Sequence, residues 1–311
     1  MSATPEDAAD RAWRGAQGPV LDPARHGGTH VAVTSWYDRH RRDLPWRGPG
    51  VSPWGVLVSE VMLQQTPVER VRPVWEAWLA RWPTPAGLAA ASPGDAVRAW
   101  GRLGYPRRAL RLHAAAVAIT AGHGGVVPDG DVPLRALPGV GEYTAAAVRA
   151  FAFGQRAVVL DTNVRRVLAR WQHGEALPRP AVTVAERAAA ESLLPHDDVT
   201  AATWSVALME LGALVCTART PRCPQCPLRT ECAWLAAGTP GPDDDRRRPQ
   251  AWHGTDRQCR GALLAVLRAR PVAAAADLLA AWHDPEQARR CLTALLAEQL
   301  VSVDRPGWYR L

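Results

Sequence analysis

Apolar residues return every three or four positions through most of this chain, and the runs stop at proline or glycine, which is the pattern of stacked amphipathic helices. Helical periodicity starts near Val31 (VAVTSWYDRH) and stops at the proline-bounded turn Leu44-Pro45-Trp46-Arg47. From Trp54 the spacing predicts helices over 54–66 (WGVLVSEVMLQQT), 68–82, 93–103 and 108–123. Turns at Thr84-Pro85, Ser92-Pro93-Gly94 and Gly104-Tyr105-Pro106 separate them. No alternating β run stands before residue 235; AVVL at 157–160 could be extended but is too short to seed a sheet. GTPGPDDDRRRP after Cys232 reads as a linker. Beyond it come helices over 256–270, 273–282 and 285–299, then LVSVDRPGWYRL, a two-stranded ribbon turning at Arg305-Pro306-Gly307. Three helices and a ribbon describe a winged-helix shape, and a small helical appendage fits the same pattern. The expected fold class is all-α with this small module at the C-terminal end.

Composition narrows the chemistry. The 311 residues carry 37 Lys+Arg against 30 Asp+Glu, a formal net charge of +7, and every one of those cations is arginine. The absence of lysine removes mechanisms that need its amine: Schiff-base lyase chemistry, a phosphate-loop lysine, a lysine general base. A basic balance favours an anionic partner, most often nucleic acid. Residues 1 to 28 read as a disordered leader without the apolar core of a signal peptide, and no stretch is apolar for long enough to span a bilayer.

Four of the six cysteines fall within 17 residues, as Cys216-x6-Cys223-x2-Cys226-x5-Cys232, with Pro221, Pro224 and Pro227 between them. Such a loop is a cage for a soft metal centre, an iron–sulfur cluster on this spacing. Zinc is the structural alternative, although its usual pattern pairs two knuckles and this loop has one. Cys259 and Cys291 sit at helix positions and read as core residues. A second signal is Leu137-Pro138-Gly139-Val140-Gly141 entering a helix at Tyr143. Two glycines in a tight turn leave backbone N–H groups facing outward at a helix N-terminus, a ready site for a phosphate oxygen.

EVMLQQT (60–66), LGY (103–105), LPGVGEYTA (137–145), LDTNVRRVLAR (160–170), MELGALVCT (209–217) and the four-cysteine loop occur in that order. On these motifs the chain resembles the adenine DNA glycosylases of the helix–hairpin–helix superfamily, from about Ser35 to Cys232. The resemblance implies a six-helix domain with the hairpin over 54–155. It implies an iron–sulfur domain made of 29–53 and 156–236; composition gives the linker over 237–254, and the helix-and-ribbon pattern gives the winged-helix-like module over 255–311. It implies a monomeric enzyme of the cytoplasm and nucleoid, away from membranes, acting on double-stranded DNA that contains a mispaired adenine. Its cofactor would be a [4Fe-4S] cluster on Cys216, Cys223, Cys226 and Cys232.

The resemblance also assigns roles. Glu60 would protonate the adenine ring so that the base leaves neutral, and its neighbours Val58, Val61, Met62 and Leu63 suit a raised carboxyl pKa. Asp161 would stay ionised and face the developing oxocarbenium ion, two carboxylates dividing the roles as in glycoside hydrolysis. Read without the family, Glu60 is a solvated helix residue and Asp161 the N-cap of NVRRVLAR. Gln65 and Tyr105 match positions that wedge into the base stack. Tyr143, Asn163 and Thr66 match positions that orient water, aspartate and base, and Arg42 and Arg47 match arginines that hold adenine. Gln64 and the hairpin residues Leu137, Gly139, Val140 and Gly141 complete the expected DNA contacts. Related lyases place a lysine directly after the hairpin, where this chain has Tyr143, so the expected product is an intact abasic strand.

Three departures stand out. Thr162 follows the aspartate where the family usually has glycine. Val206 aligns with a Gln or Glu that reads the adenine edge. The family's usual Nudix-like domain does not fit in the 79 residues after Cys232, and the small module stands there instead. Two other functions remain open on sequence: a mismatch thymine or uracil glycosylase on the same scaffold, and a non-catalytic iron–sulfur DNA-binding regulator.

Overall fold

Proline placed directly after a capping residue decides where several helices begin. In the computed structural model, which describes residues 23–242 and 252–311, Ser52, Thr84 and Ser92 each accept a backbone N–H from three residues on, at 3.2, 3.2 and 3.0 Å. The prolines that follow open α2 (Pro53–Leu63), α4 (Pro85–Ala89) and α5 (Pro93–Trp100), where their missing N–H costs nothing. α1 spans Pro23–His40, starting eight residues before the expected Val31 and within the segment read as leader. The rest of that leader, 1–22, lies outside the described residues, as does 243–251 of the linker. The other helices are α3 (Val68–Arg81), α6 (Arg107–Gly122), α7 (Asp131–Arg135), α8 (Glu142–Phe153), α9 (Thr162–His173), α10 (Val184–Ser192), α11 (Asp198–Leu214) and α12 (Ala233–Ala236). No strand precedes residue 273 among the described residues.

The chain divides into two compact units, one of residues 1–43 and 145–246, the other of 44–144 and 247–311. These boundaries fall earlier than the 53/54 and 155/156 read from sequence. In the first unit α1, α9 and α11 share a core in which Trp36, Val167, Trp171, Trp204 and Leu211 are buried. Each large side chain removed from water there contributes about 1.5–3 kcal/mol before the entropy of ordering is subtracted. Gly212 sets how closely α9 and α11 approach: a Cβ at that position would lie 2.7 Å from both Cβ and O of Asn163. The glycine in MELGALVC therefore serves close helix packing.

In the second unit the indole of Trp78 meets Trp82 and Trp100 edge-to-face, at centroid distances of 4.8 and 5.7 Å. Two of the buried indole N–H groups find carbonyls, Trp54 donating to Trp82 O and Trp75 to Gly55 O, while that of Trp78 has no hydrogen-bond partner. The C-terminal module belongs to this unit. Its helices α13 (Asp256–Ala269), α14 (Ala275–Leu279) and α15 (Pro285–Ala297) bury Leu263, Leu267, Leu278, Leu292 and Leu295. Cys259 and Cys291 are buried among them. The expected ribbon forms as β2 (Ser302–Arg305) and β3 (Trp308–Arg310). A third strand, β1 (Ala273–Ala274), pairs antiparallel with β3 through Ala273–Tyr309, giving the order β1-β3-β2. The helix expected from 273 therefore starts two residues late: the ribbon's free edge recruits alanines that prefer helix by themselves. The module seats against α5, where Arg98 Nη1 donates to Leu267 O at 2.9 Å and a Cβ on Gly94 would run into the Leu311 carbonyl.

Candidate active site and cysteine loop

α2 is apolar almost all round, and Glu60 sits on it at 6% exposure, so the solvated-helix reading of this carboxylate fails. The Tyr143 hydroxyl at the start of α8 donates to Glu60 Oε2 at 3.0 Å. Gln64 Nε2 reaches the buried Thr144 Oγ1 at 3.4 Å, so the segment after the hairpin meets the EVMLQQT motif at both Glu60 and Gln64.

The helix expected to run to Thr66 stops at Leu63, because Gln65 turns into the left-handed region at φ 54°. Tyr105 does the same at φ 46°. Each is a strained backbone for a residue with a Cβ, and both side chains are exposed, Tyr105 at 46%. A single buried guanidinium holds the two turns. Arg108 Nη1 donates to the carbonyls of Val61, Met62 and Gln64 at 2.8, 3.0 and 2.6 Å. Its Nη2 donates to Thr66 Oγ1 at 2.9 Å and Gly104 O at 3.2 Å. Burial lowers the Arg108 pKa to about 10, which leaves the group charged at neutral pH. Thr66, expected to face the base, is buried and spends its hydroxyl on Gln64 O and Leu103 O. Sequence reading missed Arg108, although the signal was there: it falls on the same α6 stripe as the buried Leu112, Ala115 and Ile119.

The hairpin turn joins α7 to α8. Leu137 and Val140 are buried inside it, and Val140 N–H closes it on Leu137 O at 3.1 Å. Gly139 needs its freedom: φ is 81°, and a Cβ there would lie 2.8 Å from Arg111 Cβ. Around Gly141 nothing lies within 4 Å of where a Cβ would stand, so a ligand's backbone has room to approach.

In the first unit Asp161 caps α9. Oδ1 accepts Val164 N–H at 2.6 Å and Oδ2 accepts Asn163 Nδ2 at 2.7 Å. Burial pushes the Asp161 carboxyl above the usual range, while these two hydrogen bonds and the Arg166 guanidinium pull it down. Arg166 and Arg170 continue the same helix face. Arg166 Nη2 donates to Asn163 Oδ1 at 2.8 Å and Gly212 O at 2.7 Å, and its Nε to Cys216 O at 2.7 Å. Arg170 donates to Ala176 O, Thr217 O and Ala218 O, and to Cys216 Sγ at 3.5 Å. One helix thus carries the carboxylate at its N-terminus and braces the cysteine loop along its side, through arginines that are 6% and 3% exposed. Thr162 is exposed at the first helical position, and Val206 packs against the unit's core.

Arg42, expected to hold adenine, holds a protein carboxylate. Its backbone N–H and Nε donate to Glu210 Oε1 at 2.9 and 2.8 Å and Nη2 to Oε2 at 2.8 Å, with Glu210 wholly buried. The sequence signal was a lone acid inside the otherwise apolar SVALMELGAL. Arg47 is half-buried at the end of the 45–47 turn.

The four cysteines lie on a loop of two short 3-10 turns, Cys223–Gln225 and Arg229–Glu231, with Cys216 and Cys226 packed against the unit's core. Among the described residues no three His, Cys, Asp or Glu side chains converge on one ion position. The thiols nonetheless sense one another: burial first, then their mutual charge, raises Cys223 and pushes Cys226 up to about 12. Four cysteines on one short loop beside Arg170 suit a soft metal core, whose binding would displace the thiol protons.

A family model described as HhH-GPD superfamily base excision DNA repair protein matches residues 58–191. An adenine DNA glycosylase of Mycobacterium tuberculosis is 54% identical over 296 residues, covering 93% of this chain and 96% of that protein. One of Mycolicibacterium smegmatis is 53% identical over 284 residues, covering 90% and 95%. Matches of that length reach well past residue 236 into the C-terminal module. Among solved structures, a thermostable thymine-DNA glycosylase superposes with a TM-score of 0.60 at 24% identity, covering 69% of this chain and 98% of that one, a likeness of fold alone.

Proposed function

This chain belongs to the HhH-GPD superfamily of base excision DNA repair proteins, and within it to the adenine DNA glycosylases, and from that membership we propose which mispair it repairs and how. It extrudes adenine lying opposite 8-oxoguanine or guanine, hydrolyses the bond from C1′ to the base, and leaves the abasic strand unbroken. The enzyme acts as a monomer on double-stranded DNA. The observation that carries this reading is the buried Glu60 carboxyl with the Tyr143 hydroxyl donating to it at 3.0 Å. A carboxyl in such a place can hold a proton and deliver it to a ring nitrogen of the extruded base, so that the electron pair of the breaking bond leaves on a neutral adenine. Asp161, fixed by Val164 and Asn163, supplies the negative charge that the oxocarbenium ion needs. Water then adds to C1′ and gives its proton to a carboxylate.

The lack of lysine, with Tyr143 at the position after the hairpin, supports base release without strand scission by a lysine amine. Cys216, Cys223, Cys226 and Cys232 would hold a [4Fe-4S] cluster, which when bound ties the loop together by four thiolate bonds. The chemistry of the donor set supports that assignment, and the arginines of α9 brace the same loop from the protein side. The deciding experiment is a panel of duplexes pairing A, T or U with 8-oxoguanine, G or a complementary base. The reading expects adenine release opposite 8-oxoguanine and G, with breaks only after alkali. Release of thymine or uracil instead, or nicks that keep pace with base loss, would overturn it.

A further inference from the structure

Tyr105 does not stand alone at the surface. The Arg108 guanidinium lies over its ring at 5.5 Å, and Arg257, from the first turn of α13 in the C-terminal module, lies over it at 5.0 Å. Arg257 also lies over the Trp252 ring at 5.2 Å, and Arg108 over Trp100 at 5.2 Å. The result is a ladder of alternating rings and cations, Trp100–Arg108–Tyr105–Arg257–Trp252. It starts at a fully buried indole and ends at one that is 47% exposed. Its outer end is fixed: Thr255 Oγ1, the cap of α13, donates to Trp252 O at 2.8 Å, and Arg98 and Leu311 seat the module on α5.

The exposed rings of Tyr105 and Trp252 on either side of an exposed guanidinium suit nucleobases and a phosphate backbone together. Packing alone would not need two exposed side chains held in line with an exposed, backbone-strained tyrosine. Extruding one base of a pair leaves its partner unpaired, and a residue wedged into the stack beside it would part it from a neighbouring base, so that an aromatic or guanidinium face could take that neighbour's place. We infer that Arg257 and Trp252 of the C-terminal module form, with Tyr105, a stacking platform for the DNA strand opposite the extruded base. The inference rests on the proposed role of Tyr105 as a wedge.

The test uses the full chain and its affinity for duplexes in which the nucleotide opposite a non-cleavable adenosine analogue is 8-oxoguanosine, guanosine or a baseless tetrahydrofuran. Trp252→Ala and Arg257→Ala are each expected to weaken binding roughly ten-fold when a base is present. With the baseless nucleotide, Trp252→Ala should cost less than two-fold, because there is nothing left to stack. Arg257→Lys keeps the charge but not the planar face, and should restore the salt dependence of binding without restoring the ten-fold loss. Both positions are exposed, so melting temperatures should match wild type. Wild-type affinity on the base-bearing duplexes, or an equal loss with and without the opposite base, would overturn the inference. Binding is read without excision, so a wild-type enzyme that released no adenine would sink the proposed function and leave this test intact.

Discussion

The turn at Asp161 and the turns at Gln65 and Tyr105 are built on opposite terms. Asp161 has the regular geometry of a helix cap, with both oxygens satisfied and two buried arginines in line behind it. Gln65 and Tyr105 are exposed and lie in the left-handed region, and one arginine holds the backbone around both. On the proposed mechanism, the charge that must persist through the reaction is the one fixed by hydrogen bonds at both oxygens. The two residues proposed to meet the DNA are exposed at a cost in backbone strain, beside a buried arginine that holds the turns.

Asp161→Asn should break the first side hardest. Excision is expected to fall by on the order of 10³-fold, as for loss of a group that stabilises transition-state charge, while asparagine still caps the helix. Stability should depend on pH. Because burial raises the folded pKa, the carboxyl favours folding when protonated, and that advantage is lost as pH rises through the folded pKa. Wild-type stability, read as melting temperature, should therefore fall as pH rises through the folded pKa, a dependence that the variant lacks. For the same reason wild-type excision should fail on the acid side at a pH above the ordinary aspartate value of 3.8.

Arg108→Met should break the second side. It strands three carbonyls of α2 and its following turn, Thr66 Oγ1 and Gly104 O, and is expected to cost about 3–5 kcal/mol in a denaturant titration. The molecules that remain folded should bind duplex DNA poorly, since neither turn is then held. Gly212→Ala tests the packing behind Asp161 and should cost about 1–3 kcal/mol by pushing α11 off Asn163. Gln65→Gly is the smallest change and the sharpest contrast. Relief of the positive φ should raise stability by up to about 1 kcal/mol while DNA binding falls.

Much of the scaffold could be read from spacing, because Ser52-Pro53, Thr84-Pro85 and Ser92-Pro93 announce helix starts through chemistry confined to neighbouring residues. What escaped was decided by distant partners. The end of α2 at Leu63 depends on a guanidinium from α6, which no local propensity encodes. β1 forms only because the ribbon of β2 and β3 supplies an edge. The arginines misled most. The net charge of +7 favoured an anionic partner, yet Arg108, Arg166 and Arg170 are buried against carbonyl oxygens and Arg42 is forked onto Glu210. Their helical register with apolar neighbours was the available sign. Glu60 and Asp161 drew notice because each stands in a motif, and the structure adds that one is buried beside a tyrosine hydroxyl and the other accepts from an asparagine.

The central claim is that Glu60 delivers the proton on which adenine departs. Single-turnover excision by Glu60→Gln on a duplex pairing adenine with 8-oxoguanine tests it most directly, because glutamine keeps an acceptor for the Tyr143 hydroxyl but has no proton to give. The account predicts excision slowed by on the order of 10³-fold or more, with duplex affinity within a few-fold of wild type. Excision at the wild-type rate would contradict it.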